Sequence, residues 1–382
     1  MTLWYRSLYD VYAVLVEHVS SRVKRLDELC TELNNSPGWP WKKKYKDKRA
    51  TLEDPTVDIW DTYEATEIAW MGFPKFEILA ASKADQKTRL ITAAPADLTF
   101  LVLRLVEDQD DQIKEIDNIP IMVGKTKFHC GWDRVMRRLG SCVDEVDARQ
   151  WDGSVRPYEL EGLVWLRFNL LAENDRTEAN LARLRWAYKQ LIYAPVRLTD
   201  GSWYSVAGGM KSGWPSTSID NSLVNWVRNC YAWRRVTGDQ IAMDPMSLLI
   251  YGDDILSRPR GERYWQAYRE AGTILPDNRV KLNIPITEAS FLSSKVVRKG
   301  TIFVPVPDGT KLVFSAAWWD QRPKREMRYT KAKSLWLEGY FTEQEPLLRK
   351  FYELTASSLG YKPVRREWAR MMYFGLEVGG PK

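Results

Sequence analysis

The sequence predicts an α+β fold, and three observations carry that reading. Charged stretches with apolar residues at three- and four-residue spacing lie at 1–34, 96–115 and 158–194, the period of helices buried along one side. Short apolar runs folded about Gly or polar turns, at 247–258 and 288–316, read as antiparallel hairpins. An apolar fraction of 45% over 382 residues suffices for one large core or two to three subdomains, and no internal repeat or low-complexity tract interrupts it.

Residues 1–34 read as helical. "NNSPGWPWKKKYKDKR" (34–49) follows, where Pro37, Gly38 and Pro40 stop any helix. Its loop sits beside a run of cations from Lys42 to Arg49, either a solvated face or a holder of phosphates. In "SKADQKTRLITAAP" (82–95), Lys83, Lys87 and Arg89 lead into an apolar strand, and on a strand Lys87 and Arg89 share one face. That pattern suits a charge-guarded edge or an anion contact. Residues 96–115 and 130–139 read as helices. A short strand from Val143 to Val146 ends in Asp147, with Asp152 five residues on. Residues 158–194 form a long helical stretch. Residues 197–233 read as a hairpin, a Gly-rich loop at Gly208–Gly213 and a helix from near Thr217. In "SLLIYGDDILSR" (247–258), Gly252 supplies the turn and places Asp253 and Asp254 at the tip of a hairpin with apolar arms. A helix near 260–271, a second hairpin at 288–316 and helices to the C-terminus complete the reading.

Composition limits the partners. The chain carries +6 net charge with pI ≈ 8.9, mildly basic, which permits a polyanion. It holds 18 Trp and 18 Tyr, most of them packing residues, although aromatic rings also stack on bases. Cys30, Cys130, Cys142 and Cys230 lack zinc-ligand spacing and suit a reducing compartment. No apolar run approaches the ~18 residues of a membrane span, and the N-terminus does not read as a signal peptide. The expectation is a soluble cytosolic protein, with a peripheral membrane role open to it.

Burying unpaired charge is costly, so Asp253 and Asp254 inside an apolar hairpin need a reason. Asp147 at a strand end and Asp253 at a hairpin tip suit two-metal chemistry on a phosphoryl group, and magnesium prefers such carboxylate oxygens. Six stretches then occur in a telling order. "DARQWDG" holds Asp147 and Asp152. "SGWPSTSIDN" holds Ser212, Gly213, Thr217 and Asn221. "YGDD" runs from Tyr251 to Asp254. "KTRLI" holds Lys87 and Arg89. "SPGWPW" begins at Ser36, and "EASFLSSK" spans 288–295. Together they resemble the motifs of RNA-dependent RNA polymerases of positive-strand RNA viruses in the picornavirus-like group, with an order and flavour closest to astrovirus-like polymerases.

The resemblance implies a right-hand fold. Fingers would span 1–131, with an insertion at 158–204. A palm of antiparallel sheet with flanking helices would span 132–157 and 205–300, and a small thumb 301–382. It implies transfer of a nucleoside monophosphate from an NTP to the 3′-OH of a growing RNA, on an RNA template, replicating a viral genome. Asp147 and Asp253 would hold two Mg2+ ions, with Mn2+ a substitute, and Asp254 would support them. Lys87, Arg89 and Arg279 would hold the triphosphate. Asp152, Thr217 and Asn221, with Ser212 and Gly213 in the loop before them, would read the nucleotide's sugar; its 2′-hydroxyl both donates and accepts. Ser36, Gly38, Lys42, Lys43 and Lys44 would meet the template, and Ser293 the primer. The fingers motif is short, which leaves Lys83 without a clear role. Where the family often has a proton-donating lysine, "LPDNRVKL" offers Arg279, with Lys281 two residues on; Lys281 is the better acid. Partners would be template and product RNA, nucleoside triphosphates and other viral replication proteins. The setting would be host cytoplasm, including membrane-associated replication sites. A reverse transcriptase shares the palm, but Asp152 and Asn221 suit a 2′-hydroxyl. A non-enzymatic RNA-coating protein would have no use for the ordered aspartates.

Overall fold

The computed structural model describes residues 2–30, 33–75, 89–238, 241–318 and 323–375. α1 (Leu3–Leu15) buries a stripe of Leu8, Val11 and Leu15. It stops well short of the helix expected over 1–34. Beyond it, the backbone N–H groups of Ser20, Arg22 and Val23 donate to the side chains of Gln112, Asp108 and Asp175, and that of Lys24 to the Arg104 carbonyl. Tertiary bonds replace the helical ladder there.

β1 (Trp70–Pro74), β2 (Leu90–Ala93), α2 (Ala96–Glu115), α3 (Gly131–Leu139), β3 (Cys142–Asp147) and the single turn α4 (Trp151–Ser154) follow. The long helix expected over 158–194 is two, α5 (Pro157–Asn169) and α6 (Glu178–Tyr193). Thr177 starts the second, its hydroxyl accepting the Asn180 N–H at 3.2 Å, an N-cap inside what read as one run. Then come β4 (Val196–Leu198), β5 (Trp203–Tyr204), α7 (Thr217–Thr237), β6 (Leu248–Tyr251), β7 (Asp254–Ser257), α8 (Glu262–Glu270) and β8 (Val280–Pro285). The second hairpin is β9 (Ser290–Phe291), β10 (Ser294–Lys299) and β11 (Ile302–Pro307). It ends earlier than expected, because Asp308 caps α9 (Gly309–Ala317) by accepting the Lys311 N–H. α10 (Arg325–Glu338), α11 (Glu345–Ser358) and α12 (Arg366–Phe374) close the described chain.

The central sheet is antiparallel with order β6-β7-β3-β8. Period-two alternation divides its side chains between two cores. Val146, Leu248, Ile250 and Ile255 pack with Leu223, Trp226 and Val227 of α7 and Tyr268 of α8. On the other face, Val143, Leu249 and Leu256 pack with Trp132, Met136 and Phe291. Burial on both faces is why these strands read as unbroken apolar runs. A second sheet, β2-β1-β4-β5, contains a parallel β1–β4 pair, and a third has the order β11-β10-β9. A separate cluster around Trp336, Tyr352 and Tyr373 holds α10, α11 and α12 together. The expected boundary at 300 falls at Gly300, between the paired strands β10 and β11.

Candidate active site

The sheet register sets Asp147 of β3 opposite Asp254 of β7. Directly opposed side chains on neighbouring strands lie ~4.5–5.5 Å apart at Cβ, and like charges so placed repel. Asp253 precedes Asp254 in the turn, where Gly252 takes φ +61°. Helix α7 grips that turn. Ser222 Oγ accepts the Gly252 N–H at 2.9 Å, and Asn225 Nδ2 donates to the Gly252 carbonyl at 2.8 Å. Asn225 Oδ1 in turn accepts the Tyr268 hydroxyl at 2.8 Å. Rigid elements thus fix the aspartates.

Crowding and burial make these carboxylates hungry for positive charge. Burial first, then the charges of Asp253 and Asp147, pushes Asp254 up to about 6, while the Leu292 backbone N–H from the β9–β10 turn works the other way. Burial also raises Asp253 and Asp152, with the Asp147 charge adding to the first and the Asp253 charge to the second. The Arg89 charge acts on both in the opposite sense. The donor set is hard carboxylate oxygen, which fits Mg2+ or Mn2+. Among the described residues no three such groups are gathered into a ready cage. Asp147 is instead paired with the Arg279 guanidinium. Lys281, aligned with Glu145 across β3–β8, bonds Glu145 Oε1 at 2.7 Å. Arg279, and not Lys281, therefore meets Asp147.

Asp152 lies in α4, and Asn221 on α7 meets it. Trp151 Nε1 donates to Asn221 Oδ1 at 2.9 Å, which turns Asn221 Nδ2 toward Asp152 Oδ1 at 3.4 Å. Ser212 Oγ accepts the Thr92 N–H of β2 at 2.9 Å. Gly213 is required by close approach: a Cβ there would lie 2.1 Å from the Thr92 carbonyl oxygen. The Thr217 hydroxyl donates to the Trp214 carbonyl, closing the loop's last turn. Arg89 immediately precedes β2, whereas Lys83 and Lys87 lie outside the described residues.

The 36–41 loop packs on the start of α2. The Pro37 carbonyl accepts the Ala96 N–H at 2.8 Å, the Gly38 carbonyl accepts the Lys42 N–H at 2.7 Å, and Trp41 Nε1 donates to Asp97 Oδ2 at 3.0 Å. Ser36 Oγ accepts the Gly38 N–H at 3.4 Å. Lys42 and Lys43 are exposed, and Lys43 lies 4.2 Å over the Trp39 ring. Lys44 already pairs with Asp54 at 2.8 Å, and burial lowers Lys48 to about 8. Ser293 is exposed in the β9–β10 turn, at φ +58°.

Sequence reasoning missed Asp220, Ser222, Asn225 and Arg228. All are buried on α7. The available signal was a run of polar residues continuing around the helix, with no face left purely apolar.

A family model described as viral RNA-dependent RNA polymerase matches residues 19–356. The genome polyprotein of Turnip mosaic virus (strain Quebec) is 28% identical over 298 residues, 74% of this chain and 9% of that polyprotein. The genome polyprotein of Papaya ringspot virus (strain W) is 29% identical over 309 residues, 76% of this chain and 44% of that sequence. The chain spans about a tenth of the length of the first of these relatives. The fold is shared with a solved Sicinivirus 3Dpol RNA-dependent RNA polymerase, with TM-score 0.75 at 17% identity, covering 97% of this chain and 84% of that one.

Proposed function

Because this chain belongs to the viral RNA-dependent RNA polymerase family, an enzyme family of RNA-templated RNA synthesis in viral replication, we propose that Asp147, Asp253 and Asp254 form its nucleotidyl-transfer centre. The observation that carries this reading is the opposition of Asp147 and Asp254 beside a turn clamped by α7. The 3′-hydroxyl of the growing RNA gives its proton to water, its oxygen forms a bond to the α-phosphorus of the NTP, the bond from that phosphorus to the bridging oxygen breaks, and pyrophosphate leaves. Two divalent ions, when bound, activate the attacking oxygen and offset charge on the phosphoryl group. Asp147 and Asp253 would hold them and Asp254 would support them. In that role Asp147 would give up its pairing with the Arg279 guanidinium.

Arg89 with Lys87 binds the triphosphate, and Arg279 clamps its phosphates. Lys281 gives its proton to pyrophosphate, leaving Glu145 to do so. Asp152 and Asn221 bind the ribose 2′-hydroxyl, and Ser212, Gly213 and Thr217 shape the loop that presents them. Ser36, Gly38, Lys42 and Lys43 guide the template, Lys44 adds less because Asp54 neutralises it, and Ser293 meets the primer. Fingers (1–131, 158–204), palm (132–157, 205–300) and thumb (301–382) enclose the two RNA strands. Among the described residues no helix is long and apolar enough to cross a membrane. The setting is host cytoplasm, at membrane-associated sites with other viral replication proteins.

The test is primer extension with ribo- and deoxynucleotides, with and without Mg2+. Wild type should extend with ribonucleotides only when Mg2+ is present. Asp253→Asn should lose incorporation by a hundredfold or more, on the order expected for a lost metal ligand, while keeping its melting temperature. Incorporation by the variant at near wild-type rate would sink the assignment.

A further inference from the structure

Asp220 lies next to Asn221, and the turn of about 100° per helical residue carries its side chain away from Trp151 and Asp152 toward α5 and α6. It is fully buried, and so is Arg167 of α5. Asp220 Oδ1 accepts from Arg167 Nε at 3.1 Å and Nη2 at 2.6 Å. Its Oδ2 accepts the Tyr188 hydroxyl of α6 at 2.7 Å and Trp214 Nε1 at 2.7 Å. Arg167 Nη2 also donates to Ser216 Oγ at 2.6 Å, and Nη1 to Asp110 Oδ1 of α2 at 2.7 Å. Tyr188 and Trp214 meet edge to face at 5.1 Å.

Charge balance needs less than this. One carboxylate would neutralise Arg167, and Asp110 is already there. A buried ion pair is moreover a weak source of stability, because desolvation offsets its attraction. The additional contacts share another property: Trp214 and Ser216 belong to the loop that carries Ser212, Gly213 and Thr217. The carboxylate therefore ties that loop, the first turn of α7 and two other helices to one point, and Arg167 adds α2. Four donor contacts fix its orientation, and the low dielectric makes each contact costly to break. Any rotation of the first turn of α7 that frees Asp220 also withdraws Asn221 from Trp151 and Asp152.

We propose that Asp220 is a positioning residue for sugar selection, holding the 212–217 loop and the Asn221 amide in the geometry that separates ribo- from deoxynucleotides. The proposal rests on the reading of Asp152 and Asn221 as the 2′-hydroxyl contacts. Tyr188 acts through Asp220, from a helix that carries none of the residues assigned to the nucleotide.

The experiment compares kcat/KM for a ribonucleotide and its deoxy counterpart on one primed RNA template, in wild type, Tyr188→Phe, Asp220→Asn and Asn221→Ala, with a thermal melt of each. Tyr188→Phe removes one donor at almost constant volume, so it decides the matter if Asp220→Asn does not fold. The expected result is a ribo-to-deoxy ratio lowered roughly three- to tenfold in Tyr188→Phe, the scale of one buried hydrogen bond, and further in Asp220→Asn. A purely structural network would lower melting temperatures and leave the ratio within about twofold of wild type. That result, beside a reduced ratio in Asn221→Ala, overturns the proposal alone. An unchanged ratio in Asn221→Ala overturns the sugar-contact reading, and the proposal with it.

Discussion

Lys281 and Arg279 divide the positive charge beside β3 by register, one opposite Glu145 and the other against Asp147. Arg279 is the nearer to Asp147, but a guanidinium binds its proton too tightly to serve as an acid. Lys281 can, once pyrophosphate draws it from Glu145. Lys281→Arg should therefore slow single-turnover incorporation roughly a hundredfold. A wild-type rate would leave water as the donor. The same pair shows what was legible at this scale. Both residues stand in one short segment of sequence, so their candidacy was visible. Which of them meets Asp147 depends on how β8 aligns with β3, a pairing across more than a hundred residues that no local pattern states.

At the scale of elements, the 36–41 loop and the start of α2 form one unit through Trp41 and Asp97. Burial raises Asp97 to about 6 from the ordinary 3.8, against the pull of its bonds from the Leu98 N–H and Trp41. A carboxyl raised on folding disfavours the folded state when ionised. The penalty is complete above pH 6, fades as the pH falls toward 4, and is absent below that. It amounts to at most about 3 kcal/mol. Asp97→Asn removes it but loses one acceptor, about 1 kcal/mol. The variant should be about 1–2 kcal/mol more stable than wild type at pH 8 and no more stable at pH 4, by denaturant unfolding at the two pH values. Equal differences at both would refute this account. The neighbouring cations separate by their partners. Lys42→Ala with Lys43→Ala should lower the log–log salt slope of single-stranded RNA binding by about 1 to 1.5, since each phosphate contact contributes ~0.7. Lys44→Ala should hardly change it, because Asp54 already neutralises that side chain. Helices and hairpins were legible where periodicity was strong, as in α2, α7 and β6–β7. They were misjudged where polar side chains ended them, through distant partners after α1 and through a local cap at Thr177. Gln112, Asp108 and Asp175 draw off the chain after α1, and Thr177 divides α5 from α6.

For the whole molecule, the C-terminal helices have a core of their own. Trp336 is fully buried, stacks on Tyr352 at 5.1 Å and donates to Glu345 Oε1 at 3.1 Å. Trp336→Ala should cost about 3–5 kcal/mol. The loss should be local: hydrogen exchange should speed up in α10–α12 while the Gly252 amide, bonded to Ser222, stays protected. Simultaneous loss of both would mean one cooperative unit. The architecture as a whole was legible because six short motifs in order imply it. The polar interior of α7 was not, because its partners come from α4, α5, α6, α8 and the 251–254 turn. That helix has a consequence for replication. Asn221 and Ser222 are consecutive residues, one at the candidate sugar contact and the other holding the turn that bears Asp253. If Asn221 meets the ribose as proposed, the check on the sugar and the placing of Asp253 share one rod. A substitution in the first turns of α7 that lowers the ribo-to-deoxy ratio should then also slow incorporation, because the residue that reads the sugar and the residue that holds the reacting turn cannot move apart.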